Sequence, residues 1–574
     1  MSNANQRLTP PPAARPGQTG AQFARSLSLH RQGNNREAEI LCNDLVRRFP
    51  RHFGALGLLG LIALRTGRYR RAVELLRRAI SVNPNVAGVY NHLGEALRLL
   101  KRPQDALACF TKAIALKPNV AAGYNNRAIV LHEMKRYRRA LANYNQAIAL
   151  KPDFARAYVN RGNTLRVLNR PQAALESYEK AIAIVPNFAK ALLNRGTALH
   201  DLYRFEEAVE SCNKAIALKP DYAQAYYNRA NALRDLGKIE EATDSYEKAI
   251  AFKPDFAQAR WNQGNCLLLT GQFEKGLRQY EHRTGRAVLA KHRPYSQPLW
   301  TGEEDIAGKT LFIYPELYLG DMIQFCRYAK LAEAQGAKVV LSAQNSLREL
   351  LRGLGPTIEI IAEDAEPAHF DYHCPLMSLP LAFKTTLETI YAPVPYLRAE
   401  EDRVEKWKEK IGSHGIKIGI CWQGSKTAYA NRLQRSFPLL QFRNIAKLPN
   451  VRLISLQKND GVDQLAGLPD DMTIETLGEE FDAGPHAFLD SAAVLESLDL
   501  LITTDTAITH LAGALARPTW VVLKSVPDWR WLLGRADSPW YPTMRLFRQK
   551  QRDDWKSAFD DVERALIAEF GAGG

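Results

Sequence analysis

The residues that could do chemistry converge on one stretch, Leu498 to Leu523, LDLLITTDTAITHLAGALARPTWVVL. Leu500, Leu501 and Ile502 form a short apolar run that stops at Thr503, Thr504 and Asp505. That is the pattern of a buried strand in a parallel sheet. Ile508, Leu511, Ala512 and Leu515 then recur at helical spacing until Pro518, and Thr519 to Leu523 reads as a second strand. Strand, turn, helix, strand places Asp505 and Thr506 in a turn at the carboxyl end of a strand, with His510 one helical turn further in. Unpaired backbone N–H groups at such a helix start favour an anion, and open α/β sheets bind ligands at these strand ends. The same residues also have a plainer use: Asp505 or Thr506 as N-cap, and His510 as a satisfied, half-buried histidine.

The elements that hold this turn belong to a long chain. At 574 residues it exceeds what one core supports, so two to four domains are expected. Apolar content of 46% and charged content of 24% are ordinary for soluble proteins. No apolar run is long enough to span a membrane, and the Pro- and Gly-containing start, MSNANQRLTPPPAARPGQTG, reads as a disordered leader over 1–18 rather than a signal peptide. Seven cysteines, odd in number and never in a CxxC pair, point to reduced thiols in a cytoplasmic protein and away from a zinc site. The formal charge of +16 raises nucleic acid as a partner. No recognition motif accompanies it, and the arginines spread along amphipathic helices, so nucleic acid is set aside.

Prolines recur every 34 residues at Pro50, Pro84, Pro118, Pro152, Pro186, Pro220 and Pro254, within text such as AIALKPN and AIALKPD. A period of 34 is the tetratricopeptide signature. Small residues at Gly60, Gly94, Ala128, Gly162, Gly196, Ala230 and Gly264 let the two helices of a repeat approach closely. About eight repeats are expected over 19–290, with degenerate ends that act as caps. On the first helix of successive repeats stand Asn126, Asn160, Asn194, Asn228 and Asn262, with His92 before them. Such a ladder offers both donors and acceptors to a peptide backbone. Its plainer role is hydrogen bonding inside the array.

After Arg286 the period changes. Thr310–Tyr314, Lys338–Leu341 and Ile358–Ile361 read as strands, separated by helices over Asp321–Ala334 and Ser346–Leu354. Tyr391 to Glu405 reads as a linker. A second alternation follows: strand Ile416–Cys421 ending in Trp422-Gln423-Gly424-Ser425, helix Leu440–Lys447, strand Val451–Leu456, helix Leu489–Leu495, then the turn described above. Lobes are therefore expected at 291–395 and 396–574.

Two such lobes with facing carboxyl strand ends describe the GT-B glycosyltransferase architecture. The second half resembles the family 9, heptosyltransferase-type glycosyltransferases, and more closely the bacterial proteins that fuse tetratricopeptide repeats to that fold. The resemblance rests on Leu319-Gly320-Asp321-Met322-Ile323-Gln324-Phe325, Cys326-Arg327-Tyr328, Trp422-Gln423-Gly424, Arg435-Ser436 and Ser455-Leu456-Gln457-Lys458. It extends through Asp505-Thr506, His510-Leu511-Ala512-Gly513, Asp528-Trp529-Arg530-Trp531 and Asp537-Ser538-Pro539-Trp540-Tyr541-Pro542. The repeat array is also similar to that of the protein O-linked N-acetylglucosamine transferases, whose asparagine ladder holds the acceptor polypeptide. The implied fold class is an all-α TPR superhelix followed by an α/β GT-B fold of two Rossmann-like lobes, with the final helix packed back across the first lobe.

The resemblance implies a metal-independent transfer of sugar from a nucleotide sugar to a polypeptide held by the repeats, with no cofactor. Asp505, Thr506 and His510 would serve the donor, with Gly424 and Ser425 close to its phosphates and Arg435 and Lys458 offsetting leaving-group charge. Asp321, at a helix start, is the candidate general base; a first-turn aspartate favoured by the helix dipole is its plainer reading. Trp529, Trp531, Trp540 and Tyr541 read as packing rather than sugar stacking. One departure stands out: the fused proteins usually carry Glu-Gln-Gly-Leu-Gly-Asp where this chain has Glu316-Leu317-Tyr318-Leu319-Gly320-Asp321. Tyr318 opens an alternative, a non-catalytic protein-binding scaffold with a degenerate transferase fold. A transferase acting on lipid or saccharide, with repeats used for assembly, is a third reading.

Overall fold

A computed structural model describes residues 16–285, 295–316, 318–425, 435–486 and 488–571. The leader up to residue 15 lies outside the described residues. The chain forms two compact units, 1–221 and 222–574.

The first unit is a run of twelve helices, from α1 (Pro16–Arg31) to α12 (Phe205–Leu218), each pair occupying one 34-residue period. In two repeats the small position leaves room for glycine alone. A Cβ on Gly94 would lie 2.9 Å from the Phe110 ring, and one on Gly162 would lie 2.5 Å from the Tyr178 ring. Two of these pairs are also stitched by a side chain sixteen residues on: Arg127 Nε donates to Asn143 Oδ1 at 2.7 Å, and Arg161 Nε to Ser177 Oγ at 3.1 Å.

The second unit opens with four more repeat helices, α13 (Ala223–Asp235), α14 (Ile239–Phe252), α15 (Ala257–Leu269) and α16 (Phe273–Tyr280). A 3₁₀ turn, Glu281–Gly285, ends them. Two parallel sheets follow. The first has β1 (Thr310–Tyr314), β2 (Lys338–Ala343), β3 (Glu359–Ala362) and β4 (Tyr372–Pro375) in the order β3-β2-β1-β4. The second has β5 (Ile416–Cys421), β6 (Val451–Ser455), β7 (Glu475–Thr476), β8 (Leu500–Thr503), β9 (Thr519–Leu523) and β10 (Met544–Arg548) in the order β10-β9-β8-β5-β6-β7. The helices that position the site are α17 (Leu319–Phe325), α18 (Arg327–Ala334), α19 (Glu401–Ile411), α20 (Leu489–Glu496), α21 (Ala507–Ala514) and α22 (Trp555–Phe570). Among the described residues no helix is long and apolar enough to cross a membrane. All seven cysteines are free thiols, and only Cys109 is not fully buried.

Three expectations about elements are corrected. Leu440–Lys447 is not an α-helix but two 3₁₀ turns, Leu439–Phe442 and Ile445–Lys447. Leu439, Phe442 and Ile445 are its buried residues, spaced by three, which is the 3₁₀ period and not the α period. The charged end of the expected linker is helical, because α19 buries Trp407 and Ile411 and its Trp407 indole N–H donates to Asp490 at 2.9 Å. The final helix does not cross the first sheet. Trp555, Phe559, Val562 and Leu566 of α22 join the core of the second sheet with Ile418, Phe437 and Phe442, and the Phe437 and Phe559 ring centroids are 4.9 Å apart.

Candidate functional site

The strand order of the second sheet fixes where its loops part. From β5 the chain proceeds to β6 on one side, while β8 lies on the other. The loops after β5 and β8 therefore diverge and leave a crevice at the carboxyl ends, the usual ligand position in such sheets. Trp422 to Ser425 borders it from β5 and Thr504 to Thr506 from β8. Thr504 is fully buried, its N–H donates to the Cys421 carbonyl at 3.1 Å, and its hydroxyl donates to the Arg435 carbonyl. Thr506 is the N-cap of α21, with Thr509 closing a capping box as its Oγ1 accepts from the Thr506 N–H at 3.3 Å.

A small hollow at these strand ends is lined by Arg435, Thr504, Asp505, Lys524, Pro527 and Asp528, together with the end of β9. Burial pushes the Asp505 carboxyl above its ordinary value, with Arg435 pulling it back and Asp528 adding to the rise. His510 is held tightly: Nδ1 is 3.0 Å from the Tyr541 hydroxyl, the ring stacks on Trp531 at 5.7 Å, and Nε2 is 4.0 Å from Asp505 Oδ1. Burial drives its pKa well below the ordinary imidazole value, helped by Arg530, Arg327 and Arg435, so the ring is neutral near pH 7.

Asp321 is brought to the same place from the first sheet. Gly320 lies against α21: a Cβ there would be 3.0 Å from His510 Cδ2 and 3.5 Å from Ala507 Cα. This close approach, not an unusual φ, is what requires glycine. Asp321 Oδ1 accepts from Arg530 Nη2 at 2.6 Å, Gln324 Oε1 accepts from Arg530 Nε at 2.6 Å, and Arg530 Nη1 reaches Asp528 Oδ1 at 2.8 Å. Arg530 thus joins Asp321 to a wall of the cleft. Burial pushes Asp321 up to about 6; Arg530 opposes the rise, while Asp528, Glu316 and Asp505 add to it. Its side chain still keeps 20% of its surface exposed.

The loop before Asp321 is anchored from beneath. Glu316 accepts from Arg283 Nε at 3.0 Å and Nη2 at 2.8 Å, and Arg283 also reaches Glu281 at 2.6 Å and Ser378 at 2.7 Å. Tyr318, half exposed, has φ −113°, a value open to any residue, so the backbone there does not require glycine.

Other expected site residues fall differently. Gly424 belongs to the β5 loop, where a Cβ would lie 3.0 Å from Arg435 Nε, and Ser425 is exposed beside it. Lys458 does not line the cleft: its ammonium donates to the Phe481 carbonyl and lies over the Phe481 ring. The cluster Trp529, Trp531, Trp540 and Tyr541 is buried, with Trp529 packed on Tyr280 and Phe325. Sequence reasoning passed over Gln457, whose Oε1 accepts from the Trp422 and Gln423 N–H groups at 3.0 and 2.9 Å and so shapes the β5 loop. It also passed over Lys524, although a lysine directly after a mostly apolar strand was a legible signal.

The asparagine ladder is engaged along the array. In the first unit Asn160 Nδ2 donates to Asn125 Oδ1 at 3.1 Å, Asn194 Nδ2 donates to Asn163 Oδ1 at 2.8 Å, and Asn126 Oδ1 accepts from Asn125 at 3.2 Å. In the second unit Asn262 Nδ2 donates to Asn231 Oδ1 at 2.9 Å, and Asn228 Oδ1 accepts from Gln224 at 3.0 Å. Within the described residues the Oδ1 atoms of Asn160 and Asn194 receive no hydrogen bond.

Models described as tetratricopeptide repeat match residues 23–78, 58–121, 155–188 and 223–256, and one described as TPR repeat matches 130–166 and 198–234. Protein FlbA of Caulobacter vibrioides is 28% identical over 288 residues, covering 46% of this chain and 48% of its own length, so the chain spans about half of that relative. Among solved structures, YrrB, titled a TPR protein with an unusual peptide-binding site, is 24% identical and covers 33% of this chain and 96% of its own, with a TM-score of 0.29. PilF of Pseudomonas aeruginosa is 22% identical and covers 37% of this chain and 96% of its own, with a TM-score of 0.34. The N-terminal half of this chain is an array of tetratricopeptide repeats, followed by a region of parallel sheets.

Proposed function

We propose that the chain is a GT-B glycosyltransferase that moves a sugar from a nucleotide sugar to a polypeptide gathered by the repeats. The observation that carries this reading is the convergence of Asp321 and the cleft of Arg435, Asp505, Lys524 and Asp528, joined through Arg530. Asp321 accepts the proton of an acceptor hydroxyl as the new C–O bond forms at the anomeric carbon. The anomeric C–O bond to phosphate breaks, and the diphosphate leaves with that electron pair. Cations and the α21 N-terminus beside the crevice stabilise the leaving charge. His510, neutral and stacked, holds Asp505 and the α21 start in place. Tetratricopeptide repeats are protein-binding arrays, and the Oδ1 acceptors of Asn160 and Asn194 suit the N–H groups of an extended peptide.

The scaffold reading has its own support. The hollow at these strand ends is far too small to take a nucleotide sugar as it stands. Asp321 is also engaged by Arg530. The transferase reading therefore requires the two sheets to part before a donor can bind, a hinge motion of a familiar kind. A transfer assay separates the two. The full chain is incubated with a panel of nucleotide sugars and a peptide library carrying Ser and Thr, and sugar addition is read by mass. One donor is expected to modify peptides, with the rate falling about 100-fold or more in Asp321→Asn, the scale of a lost general base. Modification at an unchanged rate in that variant would contradict the role of Asp321, and no modification by any donor would favour the scaffold.

A further inference from the structure

The positive charge of the chain is not spread evenly. Of its 77 lysines and arginines, 35 lie in 1–221 with only 15 of its 61 acidic residues, so that unit carries +20 and 222–574 carries −4. Part of the excess gathers at one place in each repeat, the turn joining its two helices and the first turn of the second helix. Arg68, Arg102, Arg136, Arg170 and Arg204 are the N-cap residues of five successive second helices. Recurring at the repeat period, they line up along one edge of the array. Arg68, Arg102 and Arg204 are neutralised by Glu39, Asp105 and Glu207. The cations around α8 (Tyr137–Leu150) are not. Lys101, Lys135, Arg136, Arg138, Arg139 and Arg170 are exposed and make no side-chain hydrogen bond or ion pair among the described residues.

Local stability does not account for these cations. A helix start favours acidic side chains, because its unpaired N–H groups carry partial positive charge. The same chain follows that rule elsewhere: the first turn of α12 holds Glu206 and Glu207, and that of α14 holds Glu240 and Glu241. At the equivalent positions α8 has Arg138 and Arg139, and α4 (Tyr69–Val82) has Arg70 and Arg71. The residue before each cap is left-handed. Gly67, Gly237 and Gly271 fill that position in three repeats, whereas Lys101 (φ 60°), Lys135 (φ 58°) and Tyr203 (φ 61°) fill it against steric preference. Tyr203 is 55% exposed, and Val167, at the end of the first helix before Arg170, is 53% exposed.

We propose that this edge, from Lys101 to Tyr203, docks an extended polypeptide segment in which acidic residues stand among apolar ones. Carboxylates answer the unpaired cations, and Val167 and Tyr203 give apolar side chains a place to lie. Nucleic acid fits less well. Single strands need aromatic faces for their bases, and Tyr137, the ring among these arginines, packs edge-on against His132 at 5.2 Å. An anionic membrane needs a broad apolar face, which two exposed side chains do not make. Neighbouring helices pack roughly 10 Å apart, so the three repeat steps of this edge span about 30 Å, the reach of about nine extended residues. The surface uses none of the ladder asparagines and does not depend on sugar transfer.

The test follows the fluorescence anisotropy of a labelled peptide of about twelve residues, built from Glu, Leu and Gly, as the full chain is added. The peptide is expected to bind, and to bind less well as salt rises. Combining Arg136→Gln, Arg138→Gln and Arg139→Gln is expected to weaken binding about tenfold, the summed effect of three exposed charge contacts. Lysine at the same three positions is expected to keep most of the affinity. Combining Lys117→Gln, Lys151→Gln and Lys219→Gln removes the same charge from the opposite ends of second helices and is expected to weaken binding far less. If the arginine triple melts early, Arg138→Gln with Arg139→Gln is titrated in its place. Equal losses in the two triples would reduce the effect to net charge and overturn the proposal, as would no peptide binding at low salt. Tighter binding of a single-stranded oligonucleotide or of phosphatidylserine vesicles than of the peptide would overturn it too, and assign the edge to that partner.

Discussion

Asp321 carries two opposing influences, burial that raises its pKa and Arg530 that lowers it, and the balance leaves it at about 6. A general base must be ionised to act, so transfer is expected to rise with pH through about 6 and level off above it. A pH–rate profile on the modified peptide checks this, and a rate flat from pH 5 to 8 would remove Asp321 from the role. Gly320→Ala places a methyl 3.0 Å from His510 Cδ2 where α17 meets α21. Overpacking of this kind costs ~1–3 kcal/mol, measurable by urea unfolding; a variant of wild-type stability would mean that α17 shifts freely. Arg530→Met strips Asp321, Gln324 and Asp528 of their shared partner and is expected to cost ~3–5 kcal/mol. Asp321 and Asp505 were visible in the sequence because each stands where an apolar run or a helix begins or ends. Arg530 was not visible as the link between Asp321 and Asp528, since Asp321 lies 209 residues away. Only the fold makes that pairing.

At the scale of elements, what was legible was whatever a local period encodes. TLFIY, IKIGIC and TWVVL coincide with β1, β5 and β9 because each is an unbroken, mostly apolar run closed by polar residues or a loop. The strand β4, YHCP, was missed because its four residues mix polar and apolar types and gain strand geometry only by pairing with β1. The run after Pro438 was misjudged in period, three instead of 3.6. The asparagine ladder was legible as a repeat, but not the direction of its amides. Because Asn160 and Asn194 donate into the preceding repeat, Asn160→Ala and Asn194→Ala are each expected to lower stability by ~1 kcal/mol. Chemical unfolding of each variant checks this. Stability unchanged in both, with peptide capture lost, would assign the ladder to the groove alone.

For the whole molecule, the period of 34 announced the helical array and the change of period announced the sheets. Strand order was beyond local text, yet it is what sets the crevice between β5 and β8 and gathers Arg435, Asp505 and Lys524 from three separate loops. The second unit holds the last four repeat helices together with both sheets. The measurement that bears most directly on this account is calorimetric titration of a nucleotide-sugar panel into the full chain and into Arg435→Met. The account predicts that one donor binds and that the variant weakens it about tenfold or more. A folded protein that binds no member of the panel would contradict it and leave the repeats as the active surface.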